Sequence, residues 1–276
     1  VMKALAEKVL AEGTDAWFSS DVKEFLPTDL RCSCGAREFH KSTDILDVWF
    51  DSGICHTAVQ ERRPDLGFPA DIYLEGSDQH RGWFQTSLVS SIAAYGKSPF
   101  KALITHGFVN DAQGYKMSKS LGNTVDPEEI IKESGAEILR LWVSHEDYGQ
   151  DLKISKEAVT RITDSYRRFR NTFRNLYDFT PGKDSVPYAT LTPLDKWALS
   201  QLNELIQKCE TAYNAFEYYK VYHAVNRFFT VDLSATYLDV LKDRLYTSRV
   251  HGVGRRAAQT VIHETVLALC SILTPI

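Results

Sequence analysis

Apolar and polar positions alternate in three different ways along the 276 residues, and the changes divide the chain. Met2 to Ala11 has the spacing of a helix, but Pro27 to Gly35 is turn-rich and follows no continuous pattern, so residues 1–40 cannot build a core of their own. From Ile45 to about Val125 the pattern predicts strands at Ile45 to Phe50, Asp71 to Leu74 and Ala102 to Val109, a helix at Trp83 to Tyr95, and a turn at Asn110 to Tyr115. Strand, crossover helix and returning strand make a βαβ unit, which implies a parallel sheet. After Asp126-Pro127 the period becomes helical, first over Asp126 to Ser134 and Ala136 to His145. Beyond Lys153 the helices lengthen. Ile162, Tyr166, Phe169, Phe173 and Leu176 step by four, three, four and three and mark one apolar face. Leu194 to Glu217, Tyr218 to Leu241 and Arg255 to Leu273 follow, with breaks at Pro181-Gly182 to Pro193 and at Tyr246 to Gly254. The expected fold class is α/β plus all-α, a parallel sheet followed by an antiparallel α-helical bundle. Expected divisions are residues 1–40 as a connecting segment, 41–125 as the sheet part, 126–155 as a connecting helical region and 156–276 as the bundle.

Composition narrows the function classes. With 43% hydrophobic and 25% charged residues, the chain is ordinary globular material for about two domains. Its apolar runs fall far short of the ~18 residues needed to span a bilayer, and Val1-Met2-Lys3-Ala4-Leu5 lacks the order of a signal peptide, so a cytoplasmic setting is expected. Five scattered cysteines fit reduced thiols better than a disulfide framework. Cys32-Ser33-Cys34-Gly35, with His40 nearby, is half of a zinc pattern at most; its spacing is one residue and no second pair lies in reach, so no metal is expected there. The net charge of -4 conceals an asymmetry: residues 1–155 carry 16 Lys and Arg against 24 Asp and Glu, and residues 156–276 carry 16 against 12. The C-terminal part is therefore the better contact for a polyanion. Tyr213, Phe216, Tyr218, Tyr219, Tyr222, Phe228 and Phe229 could stack bases, but their helical spacing fits a core.

The chemistry concentrates after two strands. In open parallel sheets ligands sit at the carboxyl ends of strands. Glu75 to His80 follow one predicted strand, and His106 to Asn110 with the run Lys116-Met117-Ser118-Lys119-Ser120-Leu121-Gly122-Asn123 follow the next, so both fall on one edge. Two ammonium groups three residues apart in a loop suit a polyphosphate, because nucleotidyl transfer builds negative charge on oxygen that a cation stabilises. Two lysines alone would equally fit a solvated basic turn.

The whole pentapeptide Lys116 to Ser120 matches the second signature of class I aminoacyl-tRNA synthetases letter for letter. Glu75-Gly76-Ser77-Asp78-Gln79-His80-Arg81-Gly82-Trp83-Phe84 and Asp47-Val48-Trp49-Phe50-Asp51-Ser52-Gly53 resemble the isoleucyl branch of that family, and the similarity continues through Ala136 to Leu141, Tyr166 to Arg170 and Tyr237 to Thr247. The resemblance implies a Rossmann-like sheet as the second half of a nucleotide-binding catalytic domain, then a stem-contact region and a helical anticodon-binding domain. It implies ATP with Mg2+, isoleucine and tRNA(Ile) as substrates, and a monomer. Lys119 becomes the triphosphate cation, and Lys116 helps to close the loop. Glu75 would contact the aminoacyl-adenylate within the nucleotide block that includes Gly76. Asp78 and Gln79 would hold ribose hydroxyls and the polar end of the amino acid, while His106 and Gly107 would flank adenine. Trp49 and Trp83 would wall the isoleucine side chain. Such a wall weighs one methylene at only ~1–3 kcal/mol, a limit for which isoleucine against valine is the worked case.

The family's partner signature, His-x-Gly-His, is absent from the eight histidines. Neither an editing insertion nor the family's C-terminal zinc element is present. Helical pattern runs at both ends, so a piece of a larger enzyme is expected, unable to form adenylate alone. A valyl enzyme of the same class and a noncatalytic tRNA-binding module remain the alternatives.

Overall fold

The computed structural model describes residues 1–177 and 185–276. The expected break at Pro181-Gly182 lies outside the described residues. The chain forms two compact units, one of residues 1–68 and 81–99, the other of 69–80 and 100–276.

The first unit holds α1 (Met2–Glu12), α2 (Ala16–Ser19), α3 (Val48–Gly53) and α4 (Trp83–Tyr95), with a long, largely irregular stretch between α2 and α3. The strand expected at Ile45 to Phe50 is instead the approach to and first turn of α3. Asp47 explains the difference: its carboxylate accepts the Trp49 N–H at 2.8 Å and caps a helix. A strand there would also need a partner ladder, and Ile45, Leu46 and Val48 are 83%, 66% and 70% exposed. Helix α3 lies close against α4 because Gly53 has no side chain; a Cβ there would sit 2.9 Å from Thr86 Cβ. The contact is stitched by Trp83 Nε1 donating to Ser52 O at 3.0 Å and Ser90 Oγ donating to Gly53 O at 3.1 Å. Gly96, at φ 69°, ends α4 in the left-handed conformation that glycine tolerates.

The second unit opens with β1 (Ala70–Gly76), parallel to β2 (Phe100–His106), with Ala70 opposite Phe100 and Gly76 opposite His106. The expected parallel pair is present. The strand predicted to run to Val109 stops three residues early, because Gly107 N–H donates to Tyr148 O at 2.9 Å instead of to a neighbouring strand. Pairing resumes with β3 (Val109–Asn110), parallel to β4 (Leu152–Lys153).

The helices of this unit follow the predicted positions. Asp126 caps α5 (Pro127–Ser134), with proline at its first position, where no N–H is needed. Next come α6 (Ala136–His145), α7 (Lys156–Tyr177), α8 (Pro193–Asn214), α9 (Tyr218–Arg227), α10 (Asp239–Tyr246) and α11 (Val253–Leu273). Between α9 and α10 the winding widens to a π-helix over Phe228–Leu238, so the segment read as one helix from Tyr218 to Leu241 continues to Tyr246 with its hydrogen bonds re-registered midway. The apolar face of α7 buries Ile162, Phe169 and Leu176. Phe169 stacks on Phe229 with ring centres 4.6 Å apart, and Phe173 meets Phe229 edge-on at 5.3 Å. Each large side chain buried in this way contributes about 1.5–3 kcal/mol. Tyr222, Phe228 and Phe229 are thus core, as their spacing predicts.

Candidate active site

Strand register brings most of the chemical residues to one edge of the second unit. Glu75 pairs with Thr105 and Gly76 with His106, so the last two rungs of the β1–β2 ladder carry three of the expected residues. A 3₁₀ turn, Ser77–Arg81, follows β1 and folds the Asp78 carboxylate back over Gly76. A Cβ on Gly76 would lie 2.7 Å from Asp78 Oδ1 and 3.7 Å from His106 Cε1. Gln79 Nε2 donates to Asp78 Oδ2 at 3.4 Å. Glu75, Gly76, Asp78, Gln79 and His106 are therefore neighbours. Glu75 and Asp78 are exposed acceptors, suited to hydroxyl or ammonium groups.

His106 Nδ1 lies 2.8 Å from Gly107 O, an oxygen that can only accept. In the neutral ring this fixes the proton on Nδ1 and leaves Nε2 as an acceptor. Gly107 has a packing reason of its own to be glycine. The space its Cβ would need is filled by backbone, with Gln150 O and C closest and Asp151 N at 2.6 Å. The glycine lets the 147–151 segment cross the end of β2, which is a structural requirement whatever ligand approaches the other side.

The lysine loop begins in a tight turn. Asp111 Oδ1 accepts the Gln113 N–H at 3.0 Å and the Tyr115 N–H at 2.8 Å, and Gly114, at φ 90°, completes the reversal. Asn110 then bridges back to Lys116 in antiparallel fashion. Lys116 Nζ sits over the Phe108 ring, 5.5 Å from its centre, a cation–π contact that parks the amine beside the start of β3. Ser118 Oγ accepts the Leu121 N–H at 3.3 Å and caps a single 3₁₀ turn, Lys119–Leu121, which closes at Gly122 with φ 64°. Lys119 is thus in a short turn, and Lys119 and Ser120 are exposed. Among the described residues no ion pair involves Lys116 or Lys119.

Trp49 and Trp83 belong to the first unit. Trp49 is in the first turn of α3, half exposed, and Trp83 opens α4 with its indole N–H bound to Ser52 O. Residues to which the sequence assigns no role of their own include Asp111, Asn123 and Tyr148. Asp111 stands just before the lysine run and Asn123 within it, and an Asp three residues ahead of a turn glycine is a readable signal.

A family model described as tRNA synthetases class I (I, L, M and V) matches residues 1–155, and one described as the anticodon-binding domain of tRNA ligase matches 195–276. The chain belongs to the class I tRNA synthetases. Among curated relatives, the isoleucine–tRNA ligase of Caldanaerobacter subterraneus is 50% identical over 279 aligned residues, covering 100% of this chain and 30% of the relative. The chain spans about a third of the length of the curated relatives it matches. That relative is an isoleucine enzyme, which weighs against the valyl alternative. Among solved structures, LeuRS of Agrobacterium radiobacter, in a ternary complex with tRNA and LeuAMS, has a TM-score of 0.67 at 19% identity over 89% of this chain and 32% of its own. Methionyl-tRNA synthetase of Mycobacterium tuberculosis, in complex with methionyl-adenylate, has a TM-score of 0.61 at 22% identity over 75% of this chain and 42% of its own. These two likenesses concern the fold. The class I synthetase model covers the strand edge and the lysine loop together, while the anticodon-domain model begins inside α8.

Proposed function

We propose that this chain is the nucleotide-binding and tRNA-facing portion of an isoleucine–tRNA ligase. In the first step the isoleucine carboxylate attacks the α-phosphate of ATP, an acyl–phosphate bond forms, and pyrophosphate leaves with the electrons of the α–β bridge. In the second a terminal ribose hydroxyl of tRNA(Ile) attacks the acyl carbon and AMP leaves. Neither step needs a covalent protein intermediate, so the protein's work is alignment and charge neutralisation. The observation that carries this reading is the exposed, internally braced lysine loop, which follows the same β1–β2 edge that holds Glu75, Asp78, Gln79 and His106.

In this reading Lys119 neutralises the triphosphate, which enters with Mg2+, and Lys116 leaves Phe108 to help close the loop. Glu75 and Gln79 take the ammonium and ribose groups of the adenylate, Asp78 takes a hydroxyl, and the Gly76 and Gly107 backbones with His106 border adenine. Trp49 and Trp83 wall the aliphatic side chain. Residues 41–125 serve activation, 126–155 meet the acceptor side of tRNA, and 156–276 meet its anticodon side.

The test is amino-acid-dependent ATP–pyrophosphate exchange by the full-length ligase that contains this chain. Isoleucine should support exchange far better than valine at equal concentration. Lys119→Ala should lower kcat by about 100- to 1000-fold, the loss of one well-aimed charge donor at about 2.7–4 kcal/mol, while isoleucine binding by calorimetry stays within about twofold. Equal losses in exchange and isoleucine affinity would sink the assignment of Lys119.

A further inference from the structure

We infer that Asp111 and Asn123 are positioning residues, a carboxylate–amide clasp that sets where the lysine loop points; the inference rests on the loop's proposed role in activation. Asp111 is only 9% exposed, and both its oxygens are in use. Oδ1 takes the Gln113 and Tyr115 N–H groups, and Oδ2 takes Asn123 Nδ2 at 2.8 Å, across twelve residues of chain. It is therefore not a counter-ion for either lysine.

Asn123 passes the hold onward. Its Oδ1 accepts the Ser118 N–H at 2.9 Å, and its Nδ2 also reaches Lys116 O at 3.3 Å. Two peptide groups of the run Lys116 to Ser118 thus end on one amide side chain, and that side chain ends on Asp111. Met117, between them, packs against the core and receives the Val125 N–H on its sulfur at 3.4 Å. Ser118 then caps the single turn that carries Lys119. Two hydrogen bonds, Ser118 to Asn123 and Asn123 to Asp111, tie the residue before Lys119 to a buried anchor. A mobile cation costs catalysis because misplacement of about 1 Å can lower a rate about 100-fold, so a clasp at this point has a function beyond turn formation.

The chemistry of the pair gives a test that separates aim from simple folding. In Asp111→Asn the two Oδ1 bonds to Gln113 and Tyr115 survive, but an NH2 group now faces the NH2 of Asn123. Asn123→Asp alone sets two carboxylates together. Combining the two exchanges donor and acceptor across the same gap and keeps an oxygen for the Ser118 N–H, at the cost of replacing the longer bond to Lys116 O by an oxygen–oxygen contact.

The experiment uses the full-length ligase and two readouts. In ATP–pyrophosphate exchange each single variant should lose about 10- to 100-fold in kcat with the isoleucine KM held, and the double variant should return to within about fivefold of wild type. In limited trypsinolysis, cleavage after Lys116 or Lys119 should be faster in the singles and near wild type in the double, since a released loop opens more often. Singles that match wild type in both readouts overturn the proposal. A double no better than the worse single also overturns it, because the pair would then be serving stability in general. Trypsinolysis reports the clasp without any activity, whereas the Lys119→Ala exchange assay reports the loop's role, so failure of one inference is distinguishable from failure of the other.

Discussion

At the residue scale, Gly107 shows how a position legible in sequence for one reason can carry a second that only the structure reveals. A glycine at a strand end beside a histidine reads as room for a ligand. Structure shows that its missing side chain admits the Gln150–Asp151 backbone, while the φ of Gly107 is not one that requires glycine. Gly107→Ala should therefore destabilise the protein by overpacking, about 1–3 kcal/mol, read as a lower midpoint in urea with an unchanged slope. Unchanged stability would mean that the 147–151 segment moves aside at no cost. His56 carried no signal in the sequence at all. It is buried, bonded through Nε2 to Ser90 Oγ at 3.0 Å and through Nδ1 to Thr57 Oγ1 at 3.0 Å, and burial pushes its pKa down, which keeps it neutral. Its partners lie one and 34 residues away, and no local pattern links them. Lys116 and Lys119, by contrast, were legible because a contiguous run needs no tertiary information.

At the scale of elements, the long periodic segments and the β1–β2 pair with α5 and α6 were legible, whereas the segment at Ile45 to Phe50 and the two-residue strands were not. Helices α7, α8 and α11 each bury a repeating face over more than twenty residues, which local period reports directly. The two-residue strands β3 and β4 pair across some forty residues, so their existence depends on the α5–α6 connection and not on their own sequence. At Ile45 to Phe50 the apolar content suggested a strand, and one capping carboxylate decided for a helix. The bundle holds a stronger example of a single acid organising an element. Asp195, 0% exposed, sits at the third position of α8, completes a capping box with Thr192, and binds the Tyr237 OH at 2.8 Å and the guanidinium of Arg244. Burial alone would raise its pKa, but Arg244, Thr192 and Tyr237 together hold it below the ordinary carboxylate value. This acid stabilises the fold fully above its unfolded pKa of about 3.9, and that contribution is lost as pH falls through the lower folded value. Asp195→Ala should cost about 3–5 kcal/mol by leaving Arg244 uncompensated. In the variant, denaturant midpoints should fall less between pH 5 and pH 2 than in wild type; parallel slopes would show that other carboxylates govern the acid limb.

At the scale of the molecule, charge is divided as the residues are. Residues 1–155 are net acidic and 156–276 net basic, and Arg161, Arg167, Arg168, Arg170 and Arg174 are all exposed on α7. Arg167 and Arg168 are partly occupied by Asp164 and Ser165, which leaves Arg170 and Arg174 as better candidates for phosphate. With the proposed tRNA partner, Arg170→Ala combined with Arg174→Ala should reduce the slope of log affinity against log salt by about two. A reduced affinity with the wild-type slope would place neither arginine on a phosphate.

The segment from Glu146 to Lys153 binds two distant places in the second unit. Tyr148 OH donates to Phe216 O at 2.6 Å, at the α8–α9 corner where Phe216 adopts φ 58°, and Tyr148 O receives the Gly107 N–H at the end of β2. One tyrosine therefore answers to both a corner of the helices and the strand edge that carries His106. Thermodynamic linkage makes any such traffic reciprocal. If a ligand at the corner changes affinity at the strand edge, a ligand at the edge must change affinity at the corner by the same factor.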